Sequence, residues 1–243
     1  MNRAAIGAGA AAAVGAVGGA IWCGQYPTAQ VYGATICRGS KDRKLMALTY
    51  DDGPNPRYTP TLMEILDRYD AKATFFSIGQ WAEREPGLLR EMHAAGHAIG
   101  NHTYTHPTMP LLTVDGVRDE LARCRAAVEA SGLQFSTVDG AWLMRPPYGR
   151  RRPATLRTMR EEGYVPVTWS ITCYDWRRTA TERKIARRAA KAGEGDVILL
   201  HDGANTEPAA DRSHSVAATE DTLQKFSAEG YEFVTIPDLV AAA

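Results

Sequence analysis

Short apolar runs alternate with amphipathic stretches along most of this chain. Residues 45–50 form an apolar run of strand length. Residues 59–69 then place Leu62, Ile65, Leu66 and Tyr69 at helical spacing. The unit repeats. Strand-like runs fall at 73–78, 98–101, 141–145, 164–171, 196–200 and 232–236, and helix-like stretches at 80–95, 113–130, 153–162, 181–192 and 216–228. Thr113 offers a cap for one helix, Pro153 suits the first turn of another, and Gly96, Gly132 and Gly163 lie just beyond helix ends. Strand and helix in strict alternation predict a parallel sheet. Seven such units in about 200 residues predict a closed or nearly closed α/β barrel rather than an open sheet.

Composition adds class limits. The chain has 243 residues, 44% apolar and 23% charged, which fits one soluble α/β domain with a sizeable core. Lys and Arg equal Asp and Glu at 28 each, so there is no global basic footprint for nucleic acid. No G-x-G-x-x-G follows a strand, which removes the dinucleotide fingerprint. Cys23, Cys37, Cys124 and Cys173 form no C-x-x-C pair and are read as buried or unpaired thiols. Arg3 followed by the Ala- and Gly-rich run to Cys23 reads as a leader. The expected organisation is a signal peptide or weak membrane anchor at 1–24, a linker at 25–44 and a single domain at 45–240.

The chemistry-bearing residues fall at strand ends. Asp51 and Asp52 close the first strand, and His102 and His106 follow the third. Arg145 ends the fourth, Asp175 and Trp176 follow the fifth, and His201 ends the sixth. In parallel barrels that edge carries the active site, because its loops converge on one mouth. Two histidines four residues apart and one carboxylate of the Asp pair make a three-ligand metal set with an open position. The other carboxylate is then free to take a proton, with Arg145 orienting it through a bidentate contact. His201 emerges from a buried strand as a candidate general acid, and Asp175 can stabilise its protonated form. Trp176 can stack on a sugar, and Leu199 can line an acyl pocket. His93 and His214 read as surface residues, and His97 as a turn residue or a support to the site. The same ligand set serves iron oxygenases, but on all-β scaffolds, which the strand–helix alternation disfavours.

In order, Thr49-Tyr50-Asp51-Asp52-Gly53-Pro54, His102-Thr103-Tyr104-Thr105-His106, Arg145-Pro146-Pro147-Tyr148-Gly149, Asp175-Trp176 and Leu199-Leu200-His201-Asp202-Gly203 resemble the five motifs of the polysaccharide deacetylases of carbohydrate esterase family 4, the NodB-homology domain. Tyr50 stands where Phe is usual. The resemblance implies a distorted (β/α)7-8 barrel and a divalent metal, zinc with cobalt as the alternative. It implies Asp52, His102 and His106 as ligands, Asp51 as the general base and Arg145 as its positioner. It further implies an oxyanion contact from the Tyr148 N–H and a groove lined by Trp176 and Leu199. His201, tuned by Asp175, is implied as the proton donor to the leaving amine.

The expected activity is removal of acetyl groups from N-acetylglucosamine units of a polysaccharide, peptidoglycan or a chitin-like oligomer, with release of acetate. The alternatives are a non-catalytic carbohydrate-binding relative and a hydrolase of a small non-sugar amide on the same barrel. The expected partner is an N-acetylated glycan polymer or oligomer, with no nucleic acid. The protein is expected to be an exported monomer, periplasmic, extracellular or tethered to the membrane through its N-terminus.

Overall fold

The computed structural model describes residues 24–242. The proposed leader therefore lies outside the described residues, apart from Gly24. The strands are β1 (Leu45–Asp51), β2 (Ala73–Ser77), β3 (Ala98–Asn101), β4 (Thr137–Val138), β5 (Ala141–Met144), β6 (Tyr164–Pro166), β7 (Ile171–Thr172), β8 (Val197–His201) and β9 (Glu232–Phe233). The helices are α1 (Thr59–Arg68), α2 (Gly79–Ala82), α3 (Pro86–Ala94), α4 (Val114–Glu129), α5 (Pro153–Glu161), α6 (Glu182–Ala189), α7 (Ser213–Ala228) and α8 (Ile236–Ala241). The principal order is β6-β5-β3-β2-β1-β8-β7, every pair parallel. β4 adds antiparallel to β5, and β9 pairs with the start of β1.

β1 is buried at all seven positions, because it lies between β2 and β8 with helices outside and the barrel interior within. Its alternation assigns the two faces. Leu45 and Ala47 join Phe76, Leu143, Val197 and Leu199 in an inner cluster. Met46, Leu48 and Tyr50 join an outer cluster with Leu62, Leu66 and Leu223 of the helices. Period two then turns Thr49 and Asp51 inward, as it does Leu199 and His201 on β8. Ile236 and Leu239 of α8 belong to the inner cluster near Leu45, so the last helix closes the end of the barrel opposite the strand C-termini.

The sequence pattern departs from the structure in three places. The helix expected at 80–95 is two helices, because Pro86 supplies no N–H and begins α3 instead. The strand expected at 232–236 is two residues long. Thr235 then accepts a hydrogen bond from the Asp238 N–H and caps α8, which the apolar pattern did not separate from a strand. The strand expected at 164–171 is split into β6 and β7, which sit on opposite edges of the sheet. Residues 167–170 between them complete the barrel with irregular pairing. Thr168 N–H donates to the Ile36 carbonyl at 2.8 Å and Ser170 N–H to the Val197 carbonyl at 3.0 Å. The Thr168 carbonyl accepts from Arg145 in the interior. Backbone partners change residue by residue, so no continuous strand forms.

The segment expected as a linker, 25–44, is packed on the barrel. Ile36 bridges Val167, Arg38 pairs with Asp196 at 3.1 Å, and Arg151 donates to the carbonyls of Tyr26 and Ala29. Cys37, Cys124 and Cys173 are free thiols. Among the described residues, no helix is long and apolar enough to cross a membrane.

His97 lies at the start of β3, away from the catalytic edge. Its Nδ1 accepts from the Ala73 N–H at 3.3 Å and its ring meets the edge of Phe75. It is a core histidine, not a support to the site. Burial, with Lys72 nearby, pushes its pKa down to about 4. The unfolded chain takes up this proton near pH 6.5, the folded chain only near 4. The stabilising contribution is therefore complete above 6.5 and declines as pH falls toward 4. His97→Gln should show a shallower loss of Tm over that range than the wild type, and equal slopes would contradict this assignment.

Candidate active site

The β1–β8 register pairs Asp51 with His201 at the same level of the barrel. Ser77 of β2 aligns with Asn101 of β3, which aligns with Met144 of β5. His102 and Arg145 thus leave their strands at one rim. A cleft of about 490 Å³ opens there, lined by Asp51, Asp52, His102, His106, Tyr148 and His201 among others.

Ligand-type atoms of Asp52, His102 and His106 all lie within 4.8 Å of one another. His102 Nε2 and His106 Nε2 stand 3.5 and 3.3 Å from Asp52 Oδ1. His102 Nδ1 is 2.8 Å from the Arg145 carbonyl, and a carbonyl only accepts, so Nδ1 carries the proton and Nε2 presents a lone pair. His106 is held neutral: burial outweighs the nearby carboxylates and pushes its pKa down to about 4. Burial alone would raise the Asp52 carboxyl, but the histidine cluster holds it below the usual carboxylate range. Asp52 Oδ1 is nonetheless buried without a hydrogen-bond partner. An anionic oxygen and the His102 lone pair converging in a buried space, with His106 Nε2 beside them, is an unfavourable arrangement that a cation relieves. The donor set therefore fits a divalent metal.

The neighbouring Asp51 is engaged differently. Its Oδ1 accepts from Arg145 Nη1 at 2.7 Å, and its Oδ2 lies 3.7 Å from His102 Nε2. Arg145 is 0% exposed. Its Nη1 also reaches Thr49 Oγ1 at 2.8 Å, and Nη2 donates to the Thr168 carbonyl at 3.0 Å. The contact with Asp51 is thus single rather than bidentate: Nη2 turns to the closing segment, and Nε is buried without a hydrogen-bond partner.

His201 is part of a second anchored pair. Its Nδ1 is 2.9 Å from Asp175 Oδ1, and its backbone N–H donates to Asp175 Oδ2 at 2.7 Å. Ser215 Oγ also donates to Oδ2, at 2.8 Å. Burial alone would lower the His201 pKa, but Asp175, with Asp52 and Asp51 beyond it, lifts it to about 9. Trp176, 43% exposed, packs its ring edgewise on His201. Tyr148, 51% exposed, does the same on His106 across the cleft. Leu199 lines the floor and is almost wholly buried.

Backbone strain collects at this rim. Asp52, Thr103, His106, Tyr148 and Tyr174 all have positive φ, between 56° and 72°. Glu120 of α4 stabilises the turn between the two histidines. Its carboxylate accepts from the N–H groups of Tyr104 and Thr105 at 2.9 and 2.8 Å, and from Thr105 Oγ1 at 2.8 Å. The sequence reading missed Glu120, which looks like one of many charged positions on an amphipathic helix. It also missed Trp169, Asn205 and Arg212, which line the cleft. Asn205 and Arg212 come from an irregular stretch with no motif. Trp169 sits inside what reads as a plain strand.

A barrel whose rim gathers three donors that fit a metal, between an anchored carboxylate and an anchored imidazole, is the architecture of a hydrolase. The polysaccharide deacetylase family model matches residues 38–167, and the chain belongs to that family. It is 36% identical over 201 residues to a peptidoglycan-N-acetylglucosamine deacetylase of Bacillus cereus, covering 82% of this chain and 89% of that one. It is 33% identical over 198 residues to a chitooligosaccharide deacetylase of a Bradyrhizobium species, covering 79% of this chain and 89% of that one. A solved peptidoglycan N-acetylglucosamine deacetylase superposes with a TM-score of 0.74 at 27% identity, over 84% of this chain and 92% of that one.

The ligand geometry generates a direct expectation. His102→Ala and His106→Ala should each weaken metal retention beyond the roughly 10–100-fold seen when only an outer partner of a ligand is lost. Both should keep the wild-type circular dichroism spectrum. Elemental analysis after gel filtration reads the outcome, and full metal content in either variant would rule out that residue as a ligand.

Proposed function

We propose that this chain is a metal-dependent deacetylase acting on N-acetylglucosamine units of a polysaccharide, peptidoglycan or a chitin-like oligomer. The observation that carries this reading is the placement of Asp51 and His201 as register partners at one level, both beside the Asp52–His102–His106 set. A base and an acid flanking one electrophile site is what amide hydrolysis requires. A divalent metal held by Asp52, His102 and His106 would polarise the acetyl carbonyl and acidify a water. Two imidazoles and one carboxylate favour zinc, with cobalt as the alternative.

The chain's own residues supply the remaining steps. Arg145 occupies Asp51 Oδ1, which leaves the other oxygen to take the water's proton as the C–O bond forms. The Tyr148 N–H, on its left-handed turn at the cleft rim, is assigned to the developing oxyanion. His201, held protonated by Asp175, gives its proton to the amide nitrogen as the C–N bond breaks. Acetate and a free amine result. Leu199 is assigned to the acetyl methyl, and Trp176 and Tyr148 to sugar faces, which suits their apolar exposed rings.

The glycan assignment draws on the relatives, whose names specify peptidoglycan N-acetylglucosamine and chitooligosaccharides. Acetate release from both polymers, with and without a chelator, tests it. Binding without release would favour the non-catalytic reading, and release only from small amides the third. The reading includes export, with residues 1–24 as signal peptide or membrane anchor and 45–240 as the catalytic unit. It rests on the Arg3 to Cys23 pattern, and cell fractionation tests it.

Asp51→Asn should retain metal and lose kcat by roughly a hundred- to ten-thousand-fold. His201→Ala should do likewise on an acetamide and lose much less on an aryl acetate, whose leaving group needs no proton. The alkaline fall in wild-type kcat/KM, as His201 deprotonates, should flatten in His201→Ala. Loss of metal from Asp51→Asn with retention in Asp52→Ala would reverse the two roles.

A further inference from the structure

Between Arg177 and Lys191 lie seven of the chain's 28 Lys and Arg and only one of its 28 Asp and Glu, Glu182. Seven cations less one anion leave +6 on these 15 residues and −6 on the rest of a formally neutral chain. Among the described residues, none of the seven forms a salt bridge, so no direct pairing within the chain offsets the charge of this segment. A solvated helix face normally mixes its charges, so this segregation calls for a partner.

Five of the seven cations, Arg177, Arg178, Lys184, Arg187 and Arg188, line two cavities that share wall residues with each other and with the catalytic cleft, together a groove leading from it. Trp176 and Arg212 line that cleft and also a second cavity of about 240 Å³, shared with Arg177 and Arg178. Arg177 continues into a third cavity of about 220 Å³ with Lys184, Arg187 and Arg188. The guanidinium groups of Arg177 and Arg188 are 4.0 and 4.2 Å from the Tyr174 ring centroid. Stacking fixes their planes and leaves their N–H edges for an anion. Two carboxylates line the second cavity, but both are engaged: Asp175 with His201, and Asp211 with the Tyr58 hydroxyl and the Ser213 N–H.

We propose that this groove is an extended subsite for carboxylates on the glycan, so that the protein selects acidic N-acetylated glycans over neutral ones. The inference rests on the deacetylase reading of the adjoining cleft. Continuity with that cleft favours a substrate strand over a lipid surface. Arginine also matches carboxylate edges through paired N–H donors.

The test compares a neutral N-acetylglucosamine hexamer with an alternating N-acetylglucosamine–glucuronic acid hexamer. Binding is measured by calorimetry to the wild type and to the double variant Arg178→Gln/Arg187→Gln. Both residues are exposed, and thermal melting verifies the fold. The wild type should prefer the acidic hexamer, and the preference should shrink as salt rises. The double variant should lose roughly tenfold of that preference. Equal binding of the two hexamers, or a preference unchanged in the variant, would overturn the proposal. So would binding to phosphatidylglycerol vesicles with no preference between hexamers, which would mark a membrane surface instead. Acetate release from the neutral hexamer tests the deacetylase reading separately, because it does not depend on the groove.

Discussion

The buried Arg145 guanidinium is the constraint on which the barrel and its rim both depend. A cation removed wholly from water is costly unless its charge is paired and most of its donors are matched. Asp51 supplies the charge, Thr49 and the Thr168 carbonyl take further N–H groups, and Nε is left without a hydrogen-bond partner. Phe76 and Trp169 offer their rings, with centroids 4.1 and 5.5 Å from the guanidinium carbon. These partners come from β1, β2 and the segment between β6 and β7. One side chain thereby joins the central strand to the irregular stretch that completes the barrel, where backbone hydrogen bonds switch partners from residue to residue.

The same interaction separates two adjacent aspartates. Asp51 continues the inward alternation of β1 and meets Arg145. Asp52 has φ of 72°, so its side chain leaves the strand pattern and turns to the two histidines. The loop that carries the two histidines is strained as well, with positive φ at Thr103 and His106, and its surroundings over-determine it: Thr103 N–H donates to Asn101 Oδ1 at 2.7 Å, His106 N–H to Thr103 Oγ1 at 3.1 Å, and Glu120 secures the residues between. Across the cleft, Asp175 holds both the backbone and the ring of His201. The rim thus has one fixed carboxylate, one fixed imidazole and one cation-shaped space, all set by buried polar contacts rather than by the apolar core.

Much of this was legible in the sequence, and the gaps have physical causes. Strand and helix alternation indicated the parallel barrel, because buried parallel strands are short apolar runs. Asp51, Asp52, His102, His106, Arg145 and His201 stood out because polar residues at the ends of such runs cluster at one rim. The break between β6 and β7 was hidden, since the residues between them find partners one by one at distant positions: Ile36, Val197 and Arg145, the last 23 residues from Thr168. The docking of 25–44 was hidden for the same reason: Ile36 and Arg38 find partners far along the chain. His97 looked like a turn residue or a support to the site, because residue type alone does not tell which end of a strand a histidine occupies. The basic groove was masked by a net charge of zero, which sums over the chain and conceals segregation.

The central claim is that Arg145 serves the chemistry through Asp51 and not independently of it. A double-mutant cycle on kcat tests this, using metal-loaded wild type, Arg145→Gln, Asp51→Asn and the double variant. If Arg145 acts by positioning the base, its substitution should slow the wild type strongly and add almost nothing to Asp51→Asn. Equal losses from Arg145→Gln in both backgrounds would contradict the account and assign Arg145 a role separate from the base.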